Sequence, residues 1–294
     1  MSRPQPTAVL ELLKPITWFA PMWAFACGAV SSGMPAAQRW PLVVAGVALA
    51  GPLVCATSQA VNDWYDRHVD AINEPKRPIP SGRIPGNWGF YIACLWTGLS
   101  LIVAAMLGRW VFIAAAVGLA FAWAYSAPPL RLKLNGWWGN AAVAICYEGL
   151  PWFTGAAVMA SSLPDLRVIL LALIYSVGAH GIMTLNDFKA IEGDIEMGVR
   201  SLPVQLGVNR AVRVACIVMT IPQIVVINLL LAWSHPVHAL IVSGLLFGQL
   251  VLMARLIANP RREAAFYNAT GTTLYVLGML VSAFALRSGV LGGA

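Results

Sequence analysis

The sequence predicts an all-α fold, a bundle of nine membrane-spanning helices that forms a single domain over residues 1–294. The chain is 59% hydrophobic and only 11% charged, with a mean hydropathy of +0.72, whereas about a quarter of the residues in soluble domains are charged. Apolar runs of about 17 to 25 residues recur along it, each long enough to cross a bilayer as a helix. A chain in lipid must pair its own backbone groups, which favours helices. The alternative, a soluble all-helical core, leaves the scarcity of charge unexplained.

Nine apolar runs define the predicted spans. The first follows Arg3 and Lys14 and lacks a small-residue cleavage site, so we interpret it as an uncleaved span. All five cysteines fall inside the runs and none forms a Cys-x-x-Cys pair, which indicates packing residues in a reduced setting. The predicted spans are 15–33, 41–62, 88–107, 109–126, 139–160, 167–186, 211–233, 236–258 and 268–288.

The charges are distributed unequally between the two predicted sides. Of the 19 Lys and Arg residues, all but Arg39, Arg109, Arg167 and Arg287 fall on the side that holds the N-terminus. The positive-inside rule therefore predicts a cytoplasmic N-terminus and, with nine spans, a periplasmic C-terminus. Because topology accounts for the net charge of +7, no separate basic face remains and we expect no nucleic-acid partner.

The acidic residues crowd onto the same side, which the positive-inside rule does not require. The stretch "NDWYDRHVD" begins at Asn62, and a helical step of about 100° per residue places Asn62, Asp63, Asp66 and Asp70 within an arc of about 100°. Carboxylates that share one face repel each other unless a cation lies among them. Mg²⁺ prefers oxygen ligands and leaves room for substrate phosphates. An ordinary solvated helix end is the alternative.

A second copy of this pattern favours the metal site. The stretch "NDFKAIEGD" runs from Asn186 to Asp194, and Asp187 and Asp194 have the spacing of Asp63 and Asp70. Each copy is followed by an Arg-x-apolar-Pro motif, at Arg77 and at Arg200. We interpret the two clusters, 62–70 and 186–194, as parts of an internal repeat. Ala190 replaces the middle acid of the second copy, and Gly193 is expected to interrupt its helix.

Cations accompany both clusters, which suggests what the metal would hold. A diphosphate bridged to the acids by Mg²⁺ and bound by Arg and Lys uses both signs of charge. At the mouth of an apolar bundle, the expected ligand is a diphosphate with an isoprenoid tail, whose departing pyrophosphate leaves an allylic cation. Loop residues that only satisfy the positive-inside rule are the alternative. The candidate diphosphate-binding residues are Asn62, Lys76, Arg77, Arg83, Arg131, Lys133, Asn186, Lys189 and Arg200.

The motif "NDWYDRHVD" fits the pattern NDxxDxxxD, and on it the chain resembles the UbiA-type intramembrane prenyltransferases over essentially its whole length. The resemblance implies Mg²⁺-dependent prenyl transfer, with Asn62, Asp63, Asp66, Asp70, Asp187 and Asp194 as metal ligands and the five aspartates as catalytic residues. The second signature of the family is usually DxxxD. Ala190 departs from it, which leaves open which acid of the second cluster binds metal.

Further stretches, "YSAPPLRLK", "GVRSLPVQLG" and "CYEGLPWF", resemble the chlorophyll and bacteriochlorophyll synthase branch of that family. This likeness implies that geranylgeranyl or phytyl diphosphate esterifies the propionate of bacteriochlorophyllide a. It also implies a bacterial plasma or intracytoplasmic photosynthetic membrane, with other pigment-synthesis or photosystem-assembly proteins as partners. A propionate is ionised near pH 7 and traps an allylic cation without a strong base.

Three residues are candidates for the acceptor pocket. Glu148 lies mid-span, where an ionisable group is a functional candidate, and a protonated structural role is the alternative. His180 precedes Asp187 by two helical turns on the same face, and Trp64 is one of several tryptophans suited to a flat macrocycle. Packing of His180 and interfacial placement of Trp64 are the alternatives.

Other functions remain open at this point. The nearest is prenyl transfer to another acceptor, such as chlorophyllide, a hydroxybenzoate, a quinone precursor or haem. A non-catalytic transporter or pigment carrier is the other class. Transporters place coupling charges near the midplane, whereas these acids gather at one end, and His180 is the one histidine clearly inside a span.

Overall fold

Helices form all the regular secondary structure in residues 3–291, the part of the chain that the computed structural model describes, apart from one isolated bridge between Asn135 and Arg200. We number the helices in chain order. They are α1 Pro6–Leu12, α2 Phe19–Ser31, α3 Trp40–Asn73, α4 Trp88–Leu107, α5 Arg109–Ser126, α6 Gly136–Ala160, α7 Leu166–Asn186, α8 Ile191–Glu196, α9 Leu202–Leu206, α10 Val208–Ala232, α11 Pro236–Ala258 and α12 Pro260–Leu291.

The all-helical membrane fold predicted from the sequence is confirmed, with one difference in the first span. Within the described residues, eight helices are long and apolar enough to cross a membrane: α3 to α7 and α10 to α12. The ninth, α2, is apolar but has only 13 residues. The predicted span 15–33 begins earlier because its apolar run includes a separate 3₁₀ turn, Pro15–Thr17, where the proline favours a new start.

Two of the long helices contain a π-helical segment. In α3 it covers Leu49–Cys55 and includes Pro52, whose missing N–H removes one ladder bond. Separately, the Pro52 carbonyl accepts a hydrogen bond of 3.1 Å from the Trp96 indole N–H. In α6 the π segment is Ile145–Gly149. Such segments are rare and often occur at functional sites.

Glycines set the close approach of α2 to the second half of α6. A side-chain carbon on Gly28 would overlap the Trp152 carbonyl, and one on Gly155 would overlap the Phe25 carbonyl. The backbones of the two helices are therefore in direct contact, as small residues allow in membrane bundles. This contact fixes α2 against α6 although α2 is short.

An aromatic core continues from this contact towards α7 and α12. Trp152, Tyr175 and Tyr275 are fully buried. Trp152 stacks on Tyr175 with ring centroids 5.6 Å apart, and Tyr175 meets Tyr275 edge-on at 5.4 Å. The Tyr275 hydroxyl donates to the Tyr175 carbonyl at 2.6 Å, so the polar ends of these rings are paired, as buried Tyr requires.

We predict that Gly28→Ala destabilises the protein while Gly98→Ala does not. The new methyl group at Gly28 meets backbone atoms that cannot move aside, and overpacking costs about 1–3 kcal/mol. Gly98 on α4 faces open space, so the same change there is neutral or stabilising because Ala favours helix. Thermal unfolding of the two variants in detergent gives the comparison. Equal melting temperatures would contradict the packing role of Gly28.

Candidate active site

The last turns of α3 carry three aspartates, two of which are almost fully buried. Asp63 is 1% exposed and Asp70 is 6% exposed, unlike the acids of a solvated helix end. Both lie on one continuous helix that extends to Asn73, beyond the predicted apolar span, which ends at residue 62. The helical geometry assumed for the first cluster is therefore present.

Each of these acids has a cation as its partner. Lys14 Nζ lies 2.6 Å from Asp63 Oδ1. Arg77 Nη1 lies 2.9 Å from Asp70 Oδ2 and 3.6 Å from Asp63 Oδ1. A third ion pair, between Lys133 and Asp66, completes the set. The carboxylates are thus neutralised by residues from three different segments.

Two of the basic residues at this mouth adopt left-handed backbone conformations. Lys14, which follows α1, has φ 46°, and Arg131, before the 3₁₀ turn Leu132–Leu134, has φ 38°. Such conformations are uncommon for residues other than glycine and often occur at functional sites. The chain therefore bends sharply where it presents a cation to the mouth.

Burial and charge alter the pKa values of the cations. Burial lowers the pKa of Lys133, and the neighbouring Asp66 carboxylate only partly offsets this. For Arg77 burial also acts to lower the pKa, but Asp63 and Asp70 outweigh it, so that the pKa is raised. Arg77 is therefore held as a fixed positive charge beside two buried acids.

The second cluster is built from two short elements instead of one helix. α7 ends at Asn186, a 3₁₀ turn covers Asp187–Lys189, and α8 begins at Ile191. The helix is thus interrupted near Ala190, and Gly193, where an interruption was expected, lies inside α8. Asp187 accepts a hydrogen bond of 3.1 Å from Asn140. Burial raises the pKa of Asp194, which is 9% exposed.

Both clusters lie at the same end of the bundle. Asn62 and Asn186, the residues that begin the two motifs, border the same cavity. Across the mouth, Asn73 at the end of α3 reaches the Met197 sulfur after α8, at 3.6 Å. The structure therefore brings the two sequence-predicted clusters around one opening.

Two buried polar atoms at this opening have no hydrogen-bond partner. They are Asp63 Oδ2, an acceptor, and Arg131 Nε, a donor. Leaving such atoms unpaired is costly, and a ligand that carries a cation and phosphate oxygens would satisfy both. Across residues 3–291, no three acidic, Cys or His side chains converge on one metal position. The carboxylates form ion pairs with Lys and Arg side chains. Carboxylates and cations together at one opening fit a diphosphate with its bound metal ion.

An apolar cavity of about 670 Å³ opens beneath the two clusters, within the usual range for small-molecule sites. Asn62 and Asn186, the first residues of both motifs, line it. Along α3 it continues from Asn62 to Leu49, a distance of about 20 Å at 1.5 Å per residue. Its walls are mainly apolar side chains, including Ala114, Gly118 and other small residues of α5.

Some predicted diphosphate-binding residues lie apart from the acids. Arg83 forms a two-pronged ion pair with Glu11 of α1, at 2.6 and 2.9 Å. Lys76, Lys189 and Arg200 are exposed. The backbone of Arg200 is bonded to the loop before α6, through the Leu134 carbonyl and the Gly136 amide.

Of the three acceptor-pocket candidates, Glu148 alone is among the residues that line the cavity. His180 is buried and its Nε2 lies 3.2 Å from the Trp137 carbonyl. Trp64 stacks under the Arg67 guanidinium at 4.0 Å. His180 and Trp64 are thus held by local contacts outside this wall.

Sequence reasoning did not single out several residues of the site. Lys14 was counted only for topology, yet it forms the ion pair with Asp63. Gln59, one turn before Asn62, donates to the Tyr147 hydroxyl at 3.0 Å inside the cavity. Asn268 of α12 donates to Asn186 at 2.8 Å. Polar residues inside apolar runs were the signal for Gln59 and Asn268, whereas nothing local marked Lys14.

Comparison with known proteins places this geometry in a family. The chain is 59% identical over 286 residues to the bacteriochlorophyll synthase 33 kDa chain of Cereibacter sphaeroides, covering 97% of this chain and 95% of the relative. It is 54% identical to the protein of the same name from Rhodobacter capsulatus, covering 97% and 95%. Identity to the chloroplastic chlorophyll synthase of Arabidopsis thaliana is 39%, covering 94% and 73%.

Solved structures share the fold at low identity. A digeranylgeranylglyceryl phosphate synthase structure superposes with a TM-score of 0.74 at 21% identity, covering 95% of this chain and 98% of that one. A UbiA homolog from Archaeoglobus fulgidus bound to DMAPP and Mg²⁺ gives 0.72 at 21% identity, covering 91% and 98%. The model of the UbiA prenyltransferase family matches residues 15–286, and the chain is therefore a member of that family and a prenyltransferase.

Proposed function

We propose that this enzyme transfers a geranylgeranyl or phytyl group from its diphosphate to the propionate carboxylate of bacteriochlorophyllide a, the last step of bacteriochlorophyll synthesis. The 59% identity to a bacteriochlorophyll synthase over nearly the whole chain carries the choice of acceptor. The two acid clusters above one apolar cavity support the reaction type.

The residues at the mouth fit a divalent metal. Asn62, Asp63, Asp66, Asp70, Asp187 and Asp194 would hold Mg²⁺, and the unpaired Asp63 Oδ2 is consistent with that role. When bound, the metal supplies positive charge to the diphosphate oxygens that become negative as the leaving group departs. A related structure with bound Mg²⁺ and DMAPP supports this assignment.

The basic residues bind the diphosphate and stabilise its departure. Arg77 and Lys133 form ion pairs with Asp70 and Asp66, and we infer that both turn to phosphate oxygens when the metal coordinates the carboxylates. Arg131 already has a buried donor without a partner. Lys76, Arg83, Lys189 and Arg200 would bind at the outer part of this site, and Asn62 and Asn186, which line the cavity, at its inner part.

The cavity protects the reactive carbon. The C–O bond to the diphosphate breaks with both electrons leaving on pyrophosphate, and a propionate oxygen forms the new ester bond to the prenyl carbon. Apolar walls exclude water, which would otherwise capture the allylic cation. The propionate is ionised at neutral pH, so the step requires no general base.

We also propose the placement of the enzyme in its membrane. The N-terminus would be cytoplasmic and the C-terminus periplasmic, since Lys and Arg gather on the side of the acid clusters. The photosynthetic membrane of a bacterium is the expected location, with pigment-synthesis or photosystem-assembly proteins as further partners. The whole chain would form one domain in which residues 62–70 and 186–194 are the repeated parts.

The first test is direct. Membranes that contain the protein, supplied with Mg²⁺, geranylgeranyl diphosphate and bacteriochlorophyllide a, are expected to yield esterified pigment and pyrophosphate in equal amounts. Chelation of Mg²⁺ should abolish both products. A prenylated benzoate or haem from parallel incubations, without any pigment ester, would overturn the proposed acceptor.

Replacing the buried acids should abolish turnover. Asp63→Asn and Asp70→Asn each remove a negative charge with little change in the shape of the side chain, and we expect the turnover rate to fall about 100-fold or more. Asp165→Asn is the matched control, because Asp165 caps α7 by accepting from the Arg167 amide at 2.8 Å and Asn caps equally well. Full activity in both cluster variants, with the protein inserted, would end the metal-site proposal.

Arg77→Ala should weaken binding of the prenyl diphosphate more than it slows the chemical step. A charge-assisted contact is worth about 1.5–3 kcal/mol, so KM is expected to rise about tenfold or more. Arg262→Ala removes the same charge from a side chain that is 85% exposed and should leave KM unchanged. Similar KM values in the two variants would show that net charge, and not Arg77 itself, attracts the diphosphate.

A further inference from the structure

Three buried polar atoms without a hydrogen-bond partner belong to residues that line the cavity below the acid clusters. They are Glu148 Oε2 on α6, and Asn268 Oδ1 and Thr272 Oγ1 on α12. All three residues line the cavity, and Glu148 is only 6% exposed. Because an unpaired buried polar atom is costly, three of them beside one cavity favour a polar ligand towards which these side chains can rotate.

Thr272 is distinguished from its neighbours on α12. A threonine inside a helix usually donates to the carbonyl four residues before it. Thr270 does so at 2.7 Å and Thr273 at 2.9 Å. The Thr272 hydroxyl makes no such bond, although it lies on the same helix. Its hydrogen-bonding capacity is therefore unused, and a rotation about χ1 would bring it to a ligand in the cavity.

The depth of Glu148 separates it from the diphosphate. Asn140, which contacts Asp187 at the mouth, precedes Glu148 by eight residues on α6, or about 12 Å along the helix. The π segment Ile145–Gly149 contains Glu148. Glu148 is thus too deep to contact the reacting phosphates, and its carboxyl group needs another partner.

The prenyl tail cannot be that partner. A hydrocarbon chain offers no group to a carboxylate, an amide oxygen or a hydroxyl, and it would leave all three unpaired. A cation supplied by the ligand would stabilise the ionised form of this buried carboxyl group.

We propose that Glu148 is an axial ligand to the central magnesium of the acceptor ring, with Asn268 and Thr272 contacting polar groups at the ring edge. The inference rests on the proposed function, since it takes the acceptor to be a magnesium-bearing macrocycle. Carboxylate oxygen is a ligand that Mg²⁺ prefers. If the propionate of the ring lies at the mouth, the central magnesium lies deeper by the length of the propionate arm plus the radius of the ring. Glu148 lies on that side of the cavity.

The test compares bacteriochlorophyllide a with its metal-free counterpart, bacteriopheophorbide a, as ligand and as acceptor. The wild-type protein is expected to bind the magnesium form at least about tenfold more tightly. Glu148→Leu should remove this preference while the KM for geranylgeranyl diphosphate stays unchanged. Glu148→His, which supplies another ligand to magnesium, should restore it. Absorption and resonance Raman spectra of the bound pigment report the coordination of the magnesium directly, independently of turnover.

The outcomes separate this inference from the proposed function. If the wild-type enzyme forms no pigment ester, the proposed function fails. If it forms ester and Glu148→Leu retains both the preference and the spectrum, ligation by Glu148 is wrong. If the Leu variant does not fold, Glu148→Gln, which preserves the shape of the side chain, takes its place in the test.

For the ring edge, Thr272→Val should raise the KM for the acceptor, and Thr270→Val is its matched control. Equal acceptor KM values in the two variants would exclude a contact to Thr272.

Discussion

The arrangement of the site depends on the need to neutralise charge that is buried at the edge of a membrane. Asp63 and Asp70 are removed from water, and a buried carboxylate without a partner is strongly unfavourable. Lys14 and Arg77 therefore lie on them. Because these ion pairs join α1, α3 and the following loop, the charges that bind substrate also organise the protein around the opening. In the proposed binding step the metal and the diphosphate replace these ion pairs, so the buried charges stay neutralised while their partners change.

The packing of the helices complements this electrostatic arrangement. Direct backbone contact at Gly28 and Gly155, and the buried rings of Tyr175 and Tyr275, hold α2, α6, α7 and α12 together. Interiors packed in this way deform little, so the cavity between them keeps its shape. A rigid hydrophobic container below a charged rim is suited to a ligand with an ionic head and a long apolar body.

The sequence predicted the helices, the ends at which they carry acids and the family, because hydrophobic run length and motif spacing are local properties. It did not predict the partner of each charge. Lys14 lies 49 residues from Asp63 in sequence, and its approach depends on a left-handed backbone at that residue. The span predicted in this region ends at residue 62, where hydropathy falls, and the helix continues beyond it to Asn73, as the helical arc of Asp63, Asp66 and Asp70 required. In the second cluster the interruption was expected at Gly193, yet the helix ends earlier, where a 3₁₀ turn begins with Asp187.

The two π-helical segments, Leu49–Cys55 and Ile145–Gly149, have a consequence for how the protein tolerates change. A π segment holds more residues per turn than a regular helix, so it takes up an extra residue while the helical parts on either side keep their angular phase. The same extra residue in a regular part of the helix would turn everything beyond it by about 100°. The mouth residues and the packing face of each helix therefore stay aligned across the π segment. A residue gained or lost elsewhere in these two helices would turn the mouth residues away from the cavity, although the composition of the span would hardly alter.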